Sequence, residues 1–206
     1  GVAVTGLGAL CGLGNNVNEI WENATNGKSG ISKLQHFDPK NLSINFAGEV
    51  KNFSCDEDIL SEREASRYDR FIPLALQASK EAMQDAKLVV DKNIPSELIG
   101  CILGVGIGGM RELELTRDTF INRGPRRVSP FFIPGIIPNM APGLVSLKFG
   151  LKGVNYHVSS ACASAAHAIS SACSEILSGR QKVVLSGGTE SVFSDIGIQG
   201  FLSKKK

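Results

Sequence analysis

Short apolar runs bounded by glycine recur along this 206-residue chain. Runs of this length and composition are typical of strands that are buried on both faces of a sheet. The pattern predicts four such strands, over residues 2–7, 99–105, 154–159 and 182–185.

Between these runs, apolar residues recur at the spacing of amphipathic helices. One predicted helix spans residues 17–25, with Asn15 and Asn16 as possible caps. A longer helix is predicted over residues 62–87 and another over residues 111–122. Strands that alternate with helices indicate an α/β fold with a buried, largely parallel sheet.

Two stretches lack a sustained period. Residues 30–58 are predicted to be irregular, with a short extended piece at residues 45–50. Five prolines interrupt residues 124–143, and because proline is excluded from helix interiors, a helix is expected to begin there only with Pro138 or Pro142 as its first residue. No linker divides the chain, so residues 1–206 are interpreted as one α/β unit.

Composition narrows the class of protein. Hydrophobic residues make up 42% and charged residues 20% of the chain, which is typical of a globular protein and excludes a disordered one. A net charge of +2 is too small to drive non-specific binding to nucleic acid or membranes. No run reaches the roughly 20 apolar residues of a membrane span. We therefore expect a cytoplasmic protein with neither nucleic acid nor membrane as a partner.

The five cysteines are scattered and form no C-x-x-C pair, so neither zinc nor a disulfide framework is expected. One of them, Cys162, lies where a predicted strand turns into a predicted helix that ends at Ser178 and Gly179. A thiol at a helix N-terminus is favoured as thiolate by the helix dipole, and a backbone N–H there helps to hold an oxyanion. The neighbouring side chains are alanine and serine, which leave room for a substrate.

The alternative for Cys162 is a small buried packing residue, which is the usual role of a free cysteine. His167 is five residues along the helix and therefore points about 140° away from Cys162, so we interpret it as a packed core residue. His157 is an unproven partner within the strand before the turn. Spacing alone therefore leaves catalysis and packing open for Cys162 and assigns it no local base.

Residues 158–167, Val-Ser-Ser-Ala-Cys-Ala-Ser-Ala-Ala-His, resemble the active-site segment of the β-ketoacyl-[acyl carrier protein] synthases. Four further blocks resemble that family in the same order and extend the likeness over nearly the whole chain: residues 2–8, 104–109, 124–132 and 186–190. The blocks at 104–109 and 124–132 are more similar to the type II enzyme, whereas residues 153–162 are equally similar to type I.

The resemblance implies a thiolase-like fold, in which two α/β halves form a layered αβαβα arrangement and two chains form a homodimer. This chain matches only the first half. The family's catalytic histidines, its catalytic lysine and a second oxyanion donor belong to the other half, so residues 1–206 alone are expected to be inactive. The chain opens on Gly1 and closes on three lysines, and we expect it to be interrupted at both ends.

The resemblance also implies a mechanism without a cofactor or metal. Cys162 would accept the acyl group of an acyl-carrier protein, and malonyl-carrier protein would then lose CO₂ and condense with the acyl-cysteine. The backbone N–H of Cys162 would serve as one oxyanion donor. Ile107, Phe132 and Phe201 match acyl-pocket positions, Ile107 a gating one and Phe132 one that reaches the partner subunit. Each of the three could instead be an ordinary core residue.

The carrier protein is acidic and needs a basic landing surface. Arg63, Arg67 and Arg70 fall at i, i+4 and i+7, which would place them on one face of the predicted helix. Arg126, Arg127 and Lys205 match further basic positions in the family's docking surface. The residues predicted to bind the carrier protein are therefore Arg63, Arg67, Arg126, Arg127 and Lys205. A solvated charged face is the alternative interpretation.

Two other function classes remain to be separated. One is a non-catalytic subunit of the same fold that binds the carrier protein or dimerises, which is expected to lack the cysteine. The other is a dinucleotide-binding domain, because Gly104, Gly106 and Gly109 satisfy the G-x-G-x-x-G spacing. That fingerprint also requires an acidic residue about twenty positions on, where this sequence has Arg126 and Arg127.

Overall fold

The computed structural model describes residues 1–35 and 42–203, in which helices alternate with short strands. This alternation confirms the predicted α/β class. In chain order the elements are α1 (Val17–Thr25), β1 (Ser32–Lys33), β2 (Phe46–Ala47), α2 (Glu62–Ala65), α3 (Phe71–Asp85), β3 (Ile99–Gly104), α4 (Met110–Arg123), α5 (Phe132–Ile136), α6 (Met140–Phe149), β4 (Asn155–Val158), α7 (Ser164–Leu177), β5 (Val183–Gly188) and α8 (Asp195–Leu202), with 3₁₀ turns at Ser96–Leu98 and Pro125–Arg127.

Three of the four predicted strands form one parallel sheet in the order β4-β3-β5. Cys101 of β3 lies opposite Asn155 of β4 and Leu185 of β5. The central strand β3 is buried along its whole length, as its continuous apolar run predicts. Because the strands are parallel, their carboxyl ends, including Gly104 and Gly188, meet at one edge of the sheet.

Helices cover both faces of this sheet. Alternate residues of β3, among them Cys101 and Leu103, join the main core with α3 and α6. On the opposite face, Ile102 packs against Ala168 and Ala172 of α7. The small residues of α7 thus allow the helix to lie close to the sheet.

The prediction of a buried strand over residues 2–7 is wrong. Val4 is 81% exposed, and the segment runs along α3 without joining the sheet. The backbone N–H of Leu7 donates to the carboxylate of Asp85 in α3, where a strand neighbour would have offered a carbonyl. Gly6 and Gly8 permit this close approach, since a Cβ on either would lie about 2 Å from a carbonyl oxygen of α3.

The single helix predicted over residues 62–87 is broken into α2 and α3. The chain turns between them because Asp69 is buried and bonded to two other elements. Its backbone N–H donates to the carbonyl of Gly135 in α5, and its carboxylate accepts from the backbone N–H of Glu112 in the first turn of α4. The apolar residues keep helical spacing across this point, but the tertiary contacts of Asp69 interrupt the helix there.

The two helices in the proline-rich stretch do not begin at a proline, contrary to expectation. Instead, α5 begins at Phe132 and α6 at Met140, so that Pro134 and Pro142 each occupy the third helical position. The first four N–H groups of a helix have no partner within it, so a proline there costs no hydrogen bond.

The remaining predicted elements agree with the structure. Helices α1 and α4 form as expected, with Asn16 capping α1 by accepting from the backbone N–H of Glu19. The extended piece expected at residues 45–50 contains β2, which pairs with β1 in an antiparallel hairpin. Among the described helices, none is both long enough and apolar enough to cross a bilayer.

Candidate active site

Cys162 lies in a tight turn between β4 and α7, at the carboxyl edge of the sheet. The hydroxyl of Ser164 holds this turn, because it accepts from the N–H of Ser160 at 2.9 Å and donates to the carbonyl of Ala161 at 2.6 Å. Ala161 has a φ of 51°, a left-handed conformation that costs a non-glycine residue about 1 kcal/mol. This strained residue bends the chain sharply, and Cys162 is exposed immediately before α7.

The thiol of Cys162 borders a cavity of about 490 Å³. Ile107, from the loop after β3, and Phe201, from α8, line the same cavity. The structure therefore brings together three of the four residues predicted for the catalytic and acyl-pocket positions. The cavity has the size and the apolar walls of a small-molecule site.

Phe132 does not line this cavity. It is the first residue of α5 and is half-buried there. The role expected for it involves the tunnel of a partner subunit, so that assignment stays a prediction.

The two described histidines are not part of the cavity lining. His167 is exposed, and its Nδ1 lies 2.7 Å from the hydroxyl of Ser160. The expectation that His167 packs in the core is therefore wrong, because the first turn of α7 presents it to solvent. His157 is half-buried in β4.

Glu190, two residues after the end of β5, is a residue of the site that the sequence pattern did not indicate. Its carboxylate accepts two backbone N–H groups from the loop after β3, from Ile107 at 2.7 Å and from Gly108 at 3.1 Å. Only its place after the carboxyl end of a predicted strand could have marked it. If the G-x-G-x-x-G segment bound a dinucleotide, these N–H groups would donate to a phosphate. Here they donate to a carboxylate of the protein instead, which argues against dinucleotide binding.

The arginines expected to bind a carrier protein do not form one helical stripe, because α2 ends at Ala65. Arg63 is exposed on α2, whereas Arg67 follows it and stacks on the ring of Phe131, with 4.4 Å from its guanidinium carbon to the ring centre. Arg70 is half-buried and donates to the carbonyl of Val50.

Arg126 and Arg127 are exposed in the 3₁₀ turn that follows α4. Phe131 comes four residues after this turn, so its contact with Arg67 brings that arginine to the segment that follows Arg127. Lys205, the fifth predicted residue, lies outside the described residues.

Alkylation should distinguish Cys162 from the other cysteines. Burial raises the pKa of the Cys55 thiol to about 11 and that of the Cys101 thiol to about 12, so both remain almost wholly protonated at neutral pH. The exposed Cys162 should therefore be alkylated by iodoacetamide at least about tenfold faster than either of them. Peptide mass spectrometry over a time course measures this order, and faster labelling of Cys55 or Cys101 would contradict it.

The parallel sheet is covered by helices on both faces and carries an exposed cysteine between a strand and the following helix, which is an α/β architecture of the thiolase-like type. Residues 1–205 match the family described as "Beta-ketoacyl synthase, N-terminal domain". The chain belongs to that β-ketoacyl synthase family.

Individual relatives agree with the family match. The chain is 41% identical over 204 residues to "3-oxoacyl-[acyl-carrier-protein] synthase 2" of Staphylococcus aureus strain COL, which covers 99% of this chain and 49% of that protein. It is 39% identical, with the same coverage, to the protein of that name from Synechocystis sp.. A crystal structure of a β-ketoacyl synthase from Burkholderia phymatum STM815 superposes with a TM-score of 0.81 at 26% identity, over 98% of this chain and 49% of that one. The chain thus spans about half the length of these proteins.

Proposed function

We propose that the complete protein containing this chain is a type II β-ketoacyl-[acyl carrier protein] synthase that elongates fatty acyl chains. One observation carries the proposal: the exposed Cys162 thiol opens onto an apolar cavity at the N-terminus of α7. The names of the relatives, both 3-oxoacyl-[acyl-carrier-protein] synthase 2, support the same activity.

In the first half-reaction, the Cys162 thiolate attacks the thioester carbonyl of an acyl-carrier protein. The new carbon–sulfur bond forms as the carbon–sulfur bond to the phosphopantetheine arm breaks, and the released thiolate takes up a proton. The positive end of the α7 dipole lies at this turn and stabilises the negative charge of the tetrahedral intermediate. The backbone N–H of Cys162 is the donor that this turn offers to the tetrahedral oxyanion.

The acyl chain then extends along the cavity between Ile107 and Phe201, which line it beside the thiol. Burial of each methylene against such walls contributes about 0.8 kcal/mol to binding. The cavity therefore holds the acyl chain while its carbonyl stays at the mouth, where a second substrate can reach it.

In the second half-reaction, malonyl-carrier protein loses CO₂ and the resulting carbanion attacks the acyl-cysteine to give a β-ketoacyl product and the free thiol. This step needs groups that stabilise an enolate. No histidine or lysine belongs to the described lining of the cavity, so we assign these groups to the part of the protein outside this chain. Residues 1–206 alone should accordingly form no β-ketoacyl product.

The basic side chains of Arg63, Arg67, Arg126 and Arg127 are proposed to receive the acidic carrier protein, together with Lys205. Reversing the charge of Arg63 and Arg127 together should raise KM for acyl-carrier protein about tenfold and leave kcat nearly unchanged, with a smaller effect at high salt. These two residues are exposed and have no packing role like the contact of Arg67 with Phe131.

The matched control for this charge reversal is Lys182→Glu. Lys182 is exposed directly before β5, at the opposite edge of the sheet from Cys162. Steady-state kinetics of the complete protein at two salt concentrations compares the variants. An unchanged KM in the double variant, or an equal rise in the control, would contradict the proposed surface.

We also propose that the protein is a cytoplasmic homodimer. In the described chain β4 pairs only with β3, and Tyr156 of β4 is exposed along the open edge. Parallel sheets are rarely left open to water, and an exposed edge is commonly covered by a partner. Light scattering of the complete protein measures its mass in solution.

The activity is tested by incubating the complete protein with acyl- and malonyl-carrier protein. The expected result is release of CO₂ together with a β-ketoacyl-carrier protein two carbons longer than the acyl primer. If the protein binds the carrier protein yet forms no such product, it is a non-catalytic member of the family and the proposal is wrong.

A further inference from the structure

The loop after β3, residues 106–109, has each of its last three backbone N–H groups bonded to another part of the chain. Ile107 and Gly108 donate to the carboxylate of Glu190, and Gly109 donates at 3.0 Å to the carbonyl of Ile136 in α5. The α5 side is also tightly packed, since a Cβ on Gly109 would lie 2.5 Å from the Cα of Ile136. The hydroxyl of Ser159 also donates to the carbonyl of Gly106 at 3.2 Å. At Ile107 and Gly108, however, the backbone N–H groups of the loop are held by one side chain, that of Glu190.

The contact with Glu190 is made close to the thiol. Glu190, Ile107 and Cys162 all line the same cavity, and they come from three different segments of the chain. Because Glu190 bonds to the backbone of Ile107 itself, it determines how far the Ile107 side chain lies from the space where an acyl chain would extend.

Glu190 is exposed in this chain, as is Ile107. Its carboxylate therefore does not hold the buried core together, and its two hydrogen bonds act on the loop alone. A change at Glu190 should move the loop without unfolding the protein.

We propose that Glu190 is a positioning residue that fixes the Ile107 wall of the cavity and thereby sets which acyl chain lengths Cys162 accepts. The inference rests on the proposed acyl transfer to Cys162. It adds a specificity role for a residue that takes no part in bond making or breaking. Loss of one of its two acceptor atoms releases the loop on the cavity side and opens space for longer chains.

The test compares Glu190→Gln with Glu81→Gln in the complete protein. A glutamine side chain keeps the length of glutamate but has only one oxygen to accept with. Glu81 of α3 is a matched control because its carboxylate also accepts two backbone N–H groups, from Ala9 at 3.0 Å and from Val17 at 2.8 Å, yet it does not line the Cys162 cavity.

The measurement is the rate of acyl transfer to Cys162 from tetradecanoyl- and hexanoyl-carrier protein, followed by intact mass spectrometry. In Glu190→Gln the ratio of the long-chain to the short-chain rate should rise about tenfold, whereas in Glu81→Gln it should stay at the wild-type value. A purely structural role for Glu190 would lower both rates together and leave the ratio unchanged. That result, or an equal change in both variants, overturns the proposal.

A double-variant comparison tests whether Glu190 acts through Ile107. In an Ile107→Ala background, which lacks most of the wall, Glu190→Gln should change the ratio by less than about twofold. An undiminished tenfold effect in that background would also overturn the proposal. Wild-type protein that accepts neither acyl group would instead refute the proposed function, so the two failures are distinguishable.

Discussion

Replacing Cys162 by alanine is expected to abolish condensation by the complete protein. The substitution removes the only atom of the turn that can form a thioester, and we expect kcat to fall by about four orders of magnitude or more. The side chain is exposed, so the fold should be unaffected. Formation of β-ketoacyl product from acyl- and malonyl-carrier protein measures the loss, and the thermal midpoint of unfolding checks the fold.

The matched control is Cys173→Ala, within the helix α7 that follows Cys162. Cys173 is half-buried and lies away from the cavity, so its removal should leave kcat within about twofold of the wild-type value. Substantial product formation by Cys162→Ala would show that another group carries the acyl chain, and the proposed mechanism would be wrong.

Apart from Cys162→Ala, Gly104→Ala should be among the most damaging single substitutions. A Cβ at Gly104 would lie 2.3 Å from the carbonyl carbon of Ser164 and 2.4 Å from the backbone nitrogen of Ala165. These are backbone atoms at the start of α7, so a rotamer change cannot relieve the clash. We expect the free energy of unfolding to fall by about 3 kcal/mol.

The same clash pushes α7 away from the sheet and disturbs the turn that Ser164 holds around Cys162. Acyl transfer to Cys162 should therefore fall as well, by about tenfold or more, since small displacements of a nucleophile are costly. Denaturant unfolding and acyl-transfer rates of the complete protein measure the two effects.

Gly143→Ala is the control for Gly104→Ala. Gly143 lies within α6 and a Cβ there would meet no atom within 4 Å. Alanine is the better helix former, so this variant should be stabilised by up to about 1 kcal/mol. If both glycine variants lost stability alike, close packing of β3 against α7 would not explain the loss of stability in Gly104→Ala.

Much of the sheet could be predicted from the sequence. The flanking strands β4 and β5 are only partly buried, whereas β3 is buried along its whole length and leaves a continuous apolar run. The same rule failed for residues 2–7. An apolar run shows which residues tend to be buried but not which element packs against them. Here Gly6 and Gly8 allow the chain to pack against α3, and the segment does not join the sheet.

The helix errors have a different cause. Helical spacing continues from α2 into α3, but the bonds of Asp69 to Gly135 and Glu112 join residues 43 to 66 positions apart and cannot be inferred from a local pattern. The prediction for Pro134 and Pro142 was wrong because a helix tolerates proline throughout its first turn, where a backbone N–H would have no partner within the helix.

The candidate site could be predicted only in part. A cysteine between a strand and a helix is a local pattern, and so Cys162 was found. The pairing of Glu190 with the loop of Ile107 joins residues 83 positions apart, and only the register of β3 with β5 brings them together. The exposure of His167 likewise depends on which face of α7 meets the sheet.

The most direct test of the central claim is a chase experiment on the acylated complete protein. After incubation with acyl-carrier protein alone, intact mass spectrometry should show one acyl group per chain, and peptide mapping should place it on Cys162. Addition of malonyl-carrier protein should then discharge that group into a β-ketoacyl product. An acyl group on another residue, or one on Cys162 that malonyl-carrier protein does not remove, would contradict the assignment of Cys162 as the acyl-carrying nucleophile.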